Sequence, residues 1–110
     1  MGFFRILKAN LSSIKKQREI ESAMSLGHSE KATKLIGKSM NEILKAGLTK
    51  KELAILEIIK EEHRETLNKL LSEAFQRGWT GGGEPNLSNA MDEVLRSAQE
   101  AVREYKSMMT

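Results

Sequence analysis

Gly78-Trp79-Thr80-Gly81-Gly82-Gly83-Glu84-Pro85-Asn86 gathers the only tryptophan of the chain, its only proline and four of its eight glycines. Whether this stretch cradles a ligand or links two helices decides both the fold and the class of function. A phosphate loop works because closely spaced backbone amides and a helix N-terminus converge on the anion, usually after a strand. Gly78 and Gly83 have the separation of the two loop glycines, but Glu84 and Pro85 stand where lysine and a hydroxyl residue are needed. A carboxylate there repels phosphate, and proline removes an amide donor. No strand-like alternation precedes the stretch, so the dinucleotide fingerprint fails too. It reads instead as a flexible link over 79–86. Gly78 is expected to end the helix before it, and Pro85 disfavours helix at Glu84. Trp79 is expected to fold back on Phe75.

A link implies helices on both sides. Downstream, from about Asn86 or Ser88, the residues Leu87, Met91, Val94, Leu95, Ala98, Val102, Tyr105 and Met109 keep helical spacing to the end. Upstream, Leu48-Thr49-Lys50-Lys51-Glu52-Leu53 holds a capping box, Thr49 with Glu52, flanked by a Leu48–Leu53 staple. A helix starting there runs to about Arg77 with the stripe Leu56, Ile59, Leu67, Leu70 and Ala74. Leu53, Ile55 and Ile58 widen its first half, so that more than one side must be covered. Before it, Ala32, Leu35, Ile36, Ser39, Met40, Ile43 and Leu44 mark a helix from Ser29, its expected N-cap, to Ala46, with Gly47 as the stop. The first segment, from about Phe3 to Met24, starts with Phe3, Phe4, Leu7, Leu11 and Ile14 on one face. That face turns polar at Gln17, Arg18 and Glu21, which predicts a break near 12–17 and separate packing of 1–16.

The expectation is one all-α domain, 1–110: a small antiparallel bundle of four helices, the first open to a break in two, the last joined by the Gly-rich loop. At 110 residues, 39% apolar and 30% charged, the chain has the composition of one globular domain. Its small size and wide apolar face favour a homodimer or a partner-bound form. No run approaches a membrane span, and Arg5 and Lys8 break any leader-like apolar stretch, so cytoplasmic is the expected location.

The absence of cysteine removes thiol nucleophiles and thiolate metal sites. His63 sits between Ile59 and Leu67 and reads as a core-edge side chain. A general-base or phosphoacceptor role is the sharper alternative. His28 reads as a surface residue at a helix start. Three before His63 is Lys60 and four after is Leu67, so neither helical metal pattern is met. The expectation is therefore no enzyme, no metal, no cofactor and no small-molecule substrate.

What remains is binding. Residues 1–51 carry eleven Lys and Arg against four Glu, a balance of +7, and 52–110 carry seven against eleven acids, a balance of −4. The reading is a helical protein-interaction module that binds and regulates a macromolecule through Phe3, Phe4, Leu7, Leu53, Ile55, Ile58 and Trp79. The alternative is nucleic-acid binding through Lys31, Lys34, Lys38 and Lys45 along one helix side, with Lys50 and Lys51 at the next helix start. The third reading is a membrane surface, met by the basic, apolar N-terminal segment.

Overall fold

The computed structural model describes residues 15–109. Those residues are all-α, and no strand is found among them. Five helices are described: α1 (residues 15–25), α2 (Ser29–Gly47), α3 (Lys50–Glu62), α4 (Arg64–Thr80) and α5 (Leu87–Met109). The chain divides into two compact units, with the boundary between Ser39 and Met40, inside α2.

In the first unit, α1 buries Ile20 and Ala23. It ends in a Schellman turn: His28 N–H donates to the Ala23 carbonyl (2.8 Å), and Gly27 N–H donates to that of Met24 (3.1 Å). Gly27 sits at φ 76°, which a side chain at that position would resist. α2 follows at once. The His28 carbonyl accepts from Ala32 N–H, so the half-helical cap position is His28 and not the expected Ser29. Ala32 and Ser39 are the buried residues of this stretch. The expected break near 12–17 lies outside the described residues except for 15–17, which are helical.

In the second unit, the end of α2 brings in Leu44. The Gly47 backbone lies against Leu95, whose side chain would sit 2.5 Å from any Cβ built there. The capping box expected at Thr49 is formed. Glu52 N–H donates to Thr49 Oγ1 (3.1 Å), and Thr49 N–H donates to Glu52 Oε1 (2.9 Å).

The single helix expected from Thr49 to Arg77 is interrupted. Residue His63, at φ −135° and ψ 47°, separates α3 from α4. The reason lies in the faces the two halves bury. α3 buries Leu56 and Ile59, whereas α4 buries Leu67, Leu71, Ala74, Phe75, Gly78 and Trp79. At about 100° per residue, the buried face of α4 is turned by roughly 90° from the continuation of that of α3. One straight helix could not bury both against the same neighbour. The core position is accordingly Leu71 and not the expected Leu70, which is 36% exposed.

α4 also runs further than expected. It reaches Thr80, and its C-cap is Gly81, not Gly78. Gly78 is buried inside the helix for another reason. A Cβ there would lie 2.4 Å from the Asn89 carbonyl oxygen and 2.5 Å from Ala90 Cα, so α4 and α5 touch backbone to backbone at this point. The link shrinks to 81–86 and is closed by Gly83 N–H on the Thr80 carbonyl (3.0 Å) and Asn86 N–H on the Trp79 carbonyl (3.1 Å). Gly83 takes φ 86° in that turn. Asn86 then caps α5, its Oδ1 accepting from Asn89 N–H at 3.0 Å.

α4 and α5 run antiparallel. Gly78 meets Asn89 and Ala90, and one residue earlier Arg77 donates to Ser97 Oγ (3.5 Å) and pairs with Glu93 (3.6 Å). On α4, the buried Phe75 and Trp79 stack on each other one turn apart, with centroids 5.6 Å apart and planes 18° from parallel. Leu87, Ala90, Met91, Val94, Ser97, Ala98 and Val102 are the buried residues of α5.

Candidate interaction surface

α3 keeps part of its apolar arc outside the core. Its start is set by the capping box, with Leu48 buried just before it. Leu56 and Ile59 face inward, and the apolar arc continues past them. Leu53 and Ile55 are half-buried, and Ile58 is 41% exposed. Ala54, also exposed, lies one turn from Ile58. Downstream of Ile58 the surface turns acidic at Glu61 and Glu62. The outer part of the arc, Ile58 with Ala54 one turn before it and the half-buried Ile55 beside it, is open to solvent.

At its far end α3 is tied to α5: Tyr105 Oη donates to Glu62 Oε2 at 3.3 Å. Partial burial and the neighbouring Glu62 carboxylate both raise the Tyr105 phenol above its ordinary pKa. At the near end, the hydrogen bond from the Thr49 backbone holds the Glu52 carboxyl below its ordinary value, with lesser help from the Thr49 hydroxyl and Lys106. Tyr105 was legible only as part of the last helix's stripe, and its pairing with Glu62 was not, because forty-three positions separate the two and no motif joins them.

The other expected partner-binding residues divide. Trp79 is 8% exposed and stacked on Phe75, which places it in the core and not on a surface. Phe3, Phe4 and Leu7 lie outside the described residues, as does most of the segment that carried the membrane-surface reading. No described helix is long and apolar enough to cross a membrane.

The six lysines are all exposed. Lys31, Lys34, Lys38 and Lys45 all lie within α2, at spacings that fall on one side of a helix. Glu42 falls among them at about 100° per residue, between Lys38 and Lys45. An acid inside the row weakens its field where a phosphate backbone would lie. Lys50 and Lys51 follow in the first turn of α3.

Among the described residues neither histidine stands in a group that could bind a metal. His63 is exposed at the helix break, not at a core edge, and its side chain makes no capping hydrogen bond. His28 is exposed at the α1–α2 turn. Among the described residues no group of three His, Cys, Asp or Glu converges as a metal site would. A depression beside the α3–α4 break is lined by Glu57, Lys60, Glu61 and Arg64, two acids and two bases on an open surface.

Comparison with protein-family models, with curated proteins and with solved structures found no match to this chain.

Proposed function

We propose that this chain is a non-enzymatic helical interaction module that binds and regulates a macromolecular partner, a protein, through α3. The observation that carries the reading is the apolar arc of α3, which extends beyond its buried residues to the exposed Ile58. An aliphatic strip ending in an acidic edge suits a partner helix with apolar anchors and basic flanks. The same strip suits a second copy of the chain, and a cytoplasmic homodimer is part of the proposal. So is the finer architecture: an antiparallel bundle of four helices in which the α3–α4 pair counts as one bent helix and α5 is joined through the glycine-rich link.

The test is purification of the tagged chain from its own host cells at low and high salt, with and without nuclease, beside Ile58→Asp. A protein partner that survives high salt and nuclease and is lost with Ile58→Asp supports the reading. Sedimentation of the purified chain then shows whether the partner is a second copy. A partner retained by Ile58→Asp refutes the α3 assignment.

The exposed lysines support nucleic acid as the second reading. Under it, the captured material disappears with nuclease, binding falls steeply with salt, and the pair Lys34→Glu with Lys38→Glu removes it. Binding unchanged in that pair would end the second reading.

A further inference from the structure

The α3–α4 break has no local cause. Lys60-Glu61-Glu62-His63-Arg64-Glu65 contains no proline and no glycine, and Lys, Glu and Arg are good helix formers. Sharp interruptions ordinarily sit at Pro, at Gly/Ser pairs, or where a side chain enters the ladder. His63 does not enter it: its side chain is exposed and makes no cap bond, while its own N–H still donates to the Ile59 carbonyl at 2.7 Å. Its carbonyl in turn accepts from Leu67 N–H at 3.0 Å. Arg64, Glu65 and Thr66 lie between, in the first turn of α4, where amides have no intrahelical carbonyl to meet.

The break is held from outside. α3 is fixed by the burial of Leu56 and Ile59 and by the Tyr105–Glu62 hydrogen bond. α4 is fixed to α5 by the Gly78 backbone contact and by Arg77, which pairs with Glu93 and donates to Ser97 Oγ. Because the two buried faces are out of phase, both grips cannot be kept in one continuous helix. A local preference overruled by packing is the condition for a two-state element.

The geometry points to a switchable junction: the α3–α4 corner straightens into one continuous helix over 50–80 when α3 releases α5. Straightening lets Arg64, Glu65 and Thr66 N–H donate to the carbonyls of Lys60, Glu61 and Glu62. It uncovers Leu56 and Ile59, which join Ile55 and Ile58 in one broad apolar face. Three hydrogen bonds gained oppose two aliphatic side chains uncovered, terms of the same order. That the uncovered face receives the partner rests on the interaction reading above. The junction itself does not.

The chain has no cysteine and one tryptophan, which makes the test direct. Spin labels go on Lys51→Cys and Gln76→Cys, both exposed. In a continuous helix these sites are about 37 Å apart, at roughly 1.5 Å per residue. Leu56→Ala with Ile59→Ala loosens α3, and the blue-shifted emission of buried Trp79 reports that α4 and α5 remain packed. The expected result is a shift of the label distance toward that of the continuous helix with Trp79 emission unchanged. A distance distribution that stays at its parent value, or broadens toward shorter distances, with Trp79 still buried overturns the proposal. If the double variant loses the Trp79 signal, Tyr105→Phe decides by amide exchange at Arg64, Glu65 and Thr66. Protection that rises two-fold or more there supports the junction, and unchanged or lower protection overturns it. Neither readout involves a partner, so failure of the junction and failure of the interaction reading are distinguished.

Discussion

The two ends of α4 are built in opposite ways. Its C-terminal end lies in the part of the chain richest in helix-breaking residues, yet helix continues through Gly78 to Thr80. The link beyond it is closed by backbone hydrogen bonds and an asparagine cap. Its N-terminal end lies in a stretch of good helix formers, and there the helix is interrupted at His63. Glycine at position 78 marks a close approach between helices, not a stop. The stop at His63 comes from the mismatch of two buried faces, not from any residue at the break. Local composition is thus a guide to where a chain can turn, and packing decides where it does.

Ways to break this comparison can be ranked by size. Trp79→Ala empties the stack at the C-terminal end and should cost about 3–5 kcal/mol, read from urea unfolding followed by circular dichroism. A loss below about 1 kcal/mol would mean that Trp79 is not core. Proline scanning probes the other end. Lys60→Pro, inside α3, should cost about 3 kcal/mol or more, while Arg64→Pro, at the first position of α4, should cost about 1 kcal/mol or less. Equal costs would show that helix runs unbroken through His63. Gly78→Ala should cost about 1–3 kcal/mol, because backbone must yield to the new methyl, although alanine is the better helix former. A more stable Gly78→Ala variant would refute the backbone contact. Asn86→Ala should cost about 1 kcal/mol through loss of the α5 cap.

The smallest effect is electrostatic. The Glu52 carboxyl is held below its ordinary value, so its folded form binds a proton less readily than its unfolded form. Its contribution to stability is therefore present above the ordinary carboxylate pKa and is lost as pH falls through the lowered folded value. Urea midpoints of the parent chain and of Glu52→Gln, taken from pH 7 down to 3, should differ at neutral pH and converge in acid. A constant difference across that range would remove the charge from the explanation.

Much of the fold was legible where one local signal pointed one way. α5 has an unbroken apolar stripe with Asn86 before it, and the α3 start has its reciprocal cap, so both were placed from sequence to within a residue or two. The α3–α4 break was not. Leu56, Ile59, Leu67, Leu70 and Ala74 fit one continuous stripe well enough to hide a second phase in Leu67, Leu71, Phe75 and Trp79. That second phase was available at four-residue spacing, but choosing it required knowing that the helix was interrupted. The role of Gly78 was illegible for a different reason: glycine at a helix–helix crossing and glycine at a helix end look alike until the neighbouring helix is in place. Of the candidate site, the exposure of the lysines followed from their spacing. The breadth of the α3 apolar arc was legible too. Which part of it stays open to solvent was not, because that depends on how α4 and α5 pack beside it.

The closure of the glycine link also marks where this chain tolerates added length. Gly82 is exposed, and a Cβ there would meet nothing within 4 Å. It lies between Thr80 and Asn86, inside the small ring closed by the Asn86–Trp79 hydrogen bond. Enlarging such a ring costs entropy only slowly with its length. A peptide tag or a fluorescent domain spliced in at Gly82 should therefore leave the α4–α5 pairing in place.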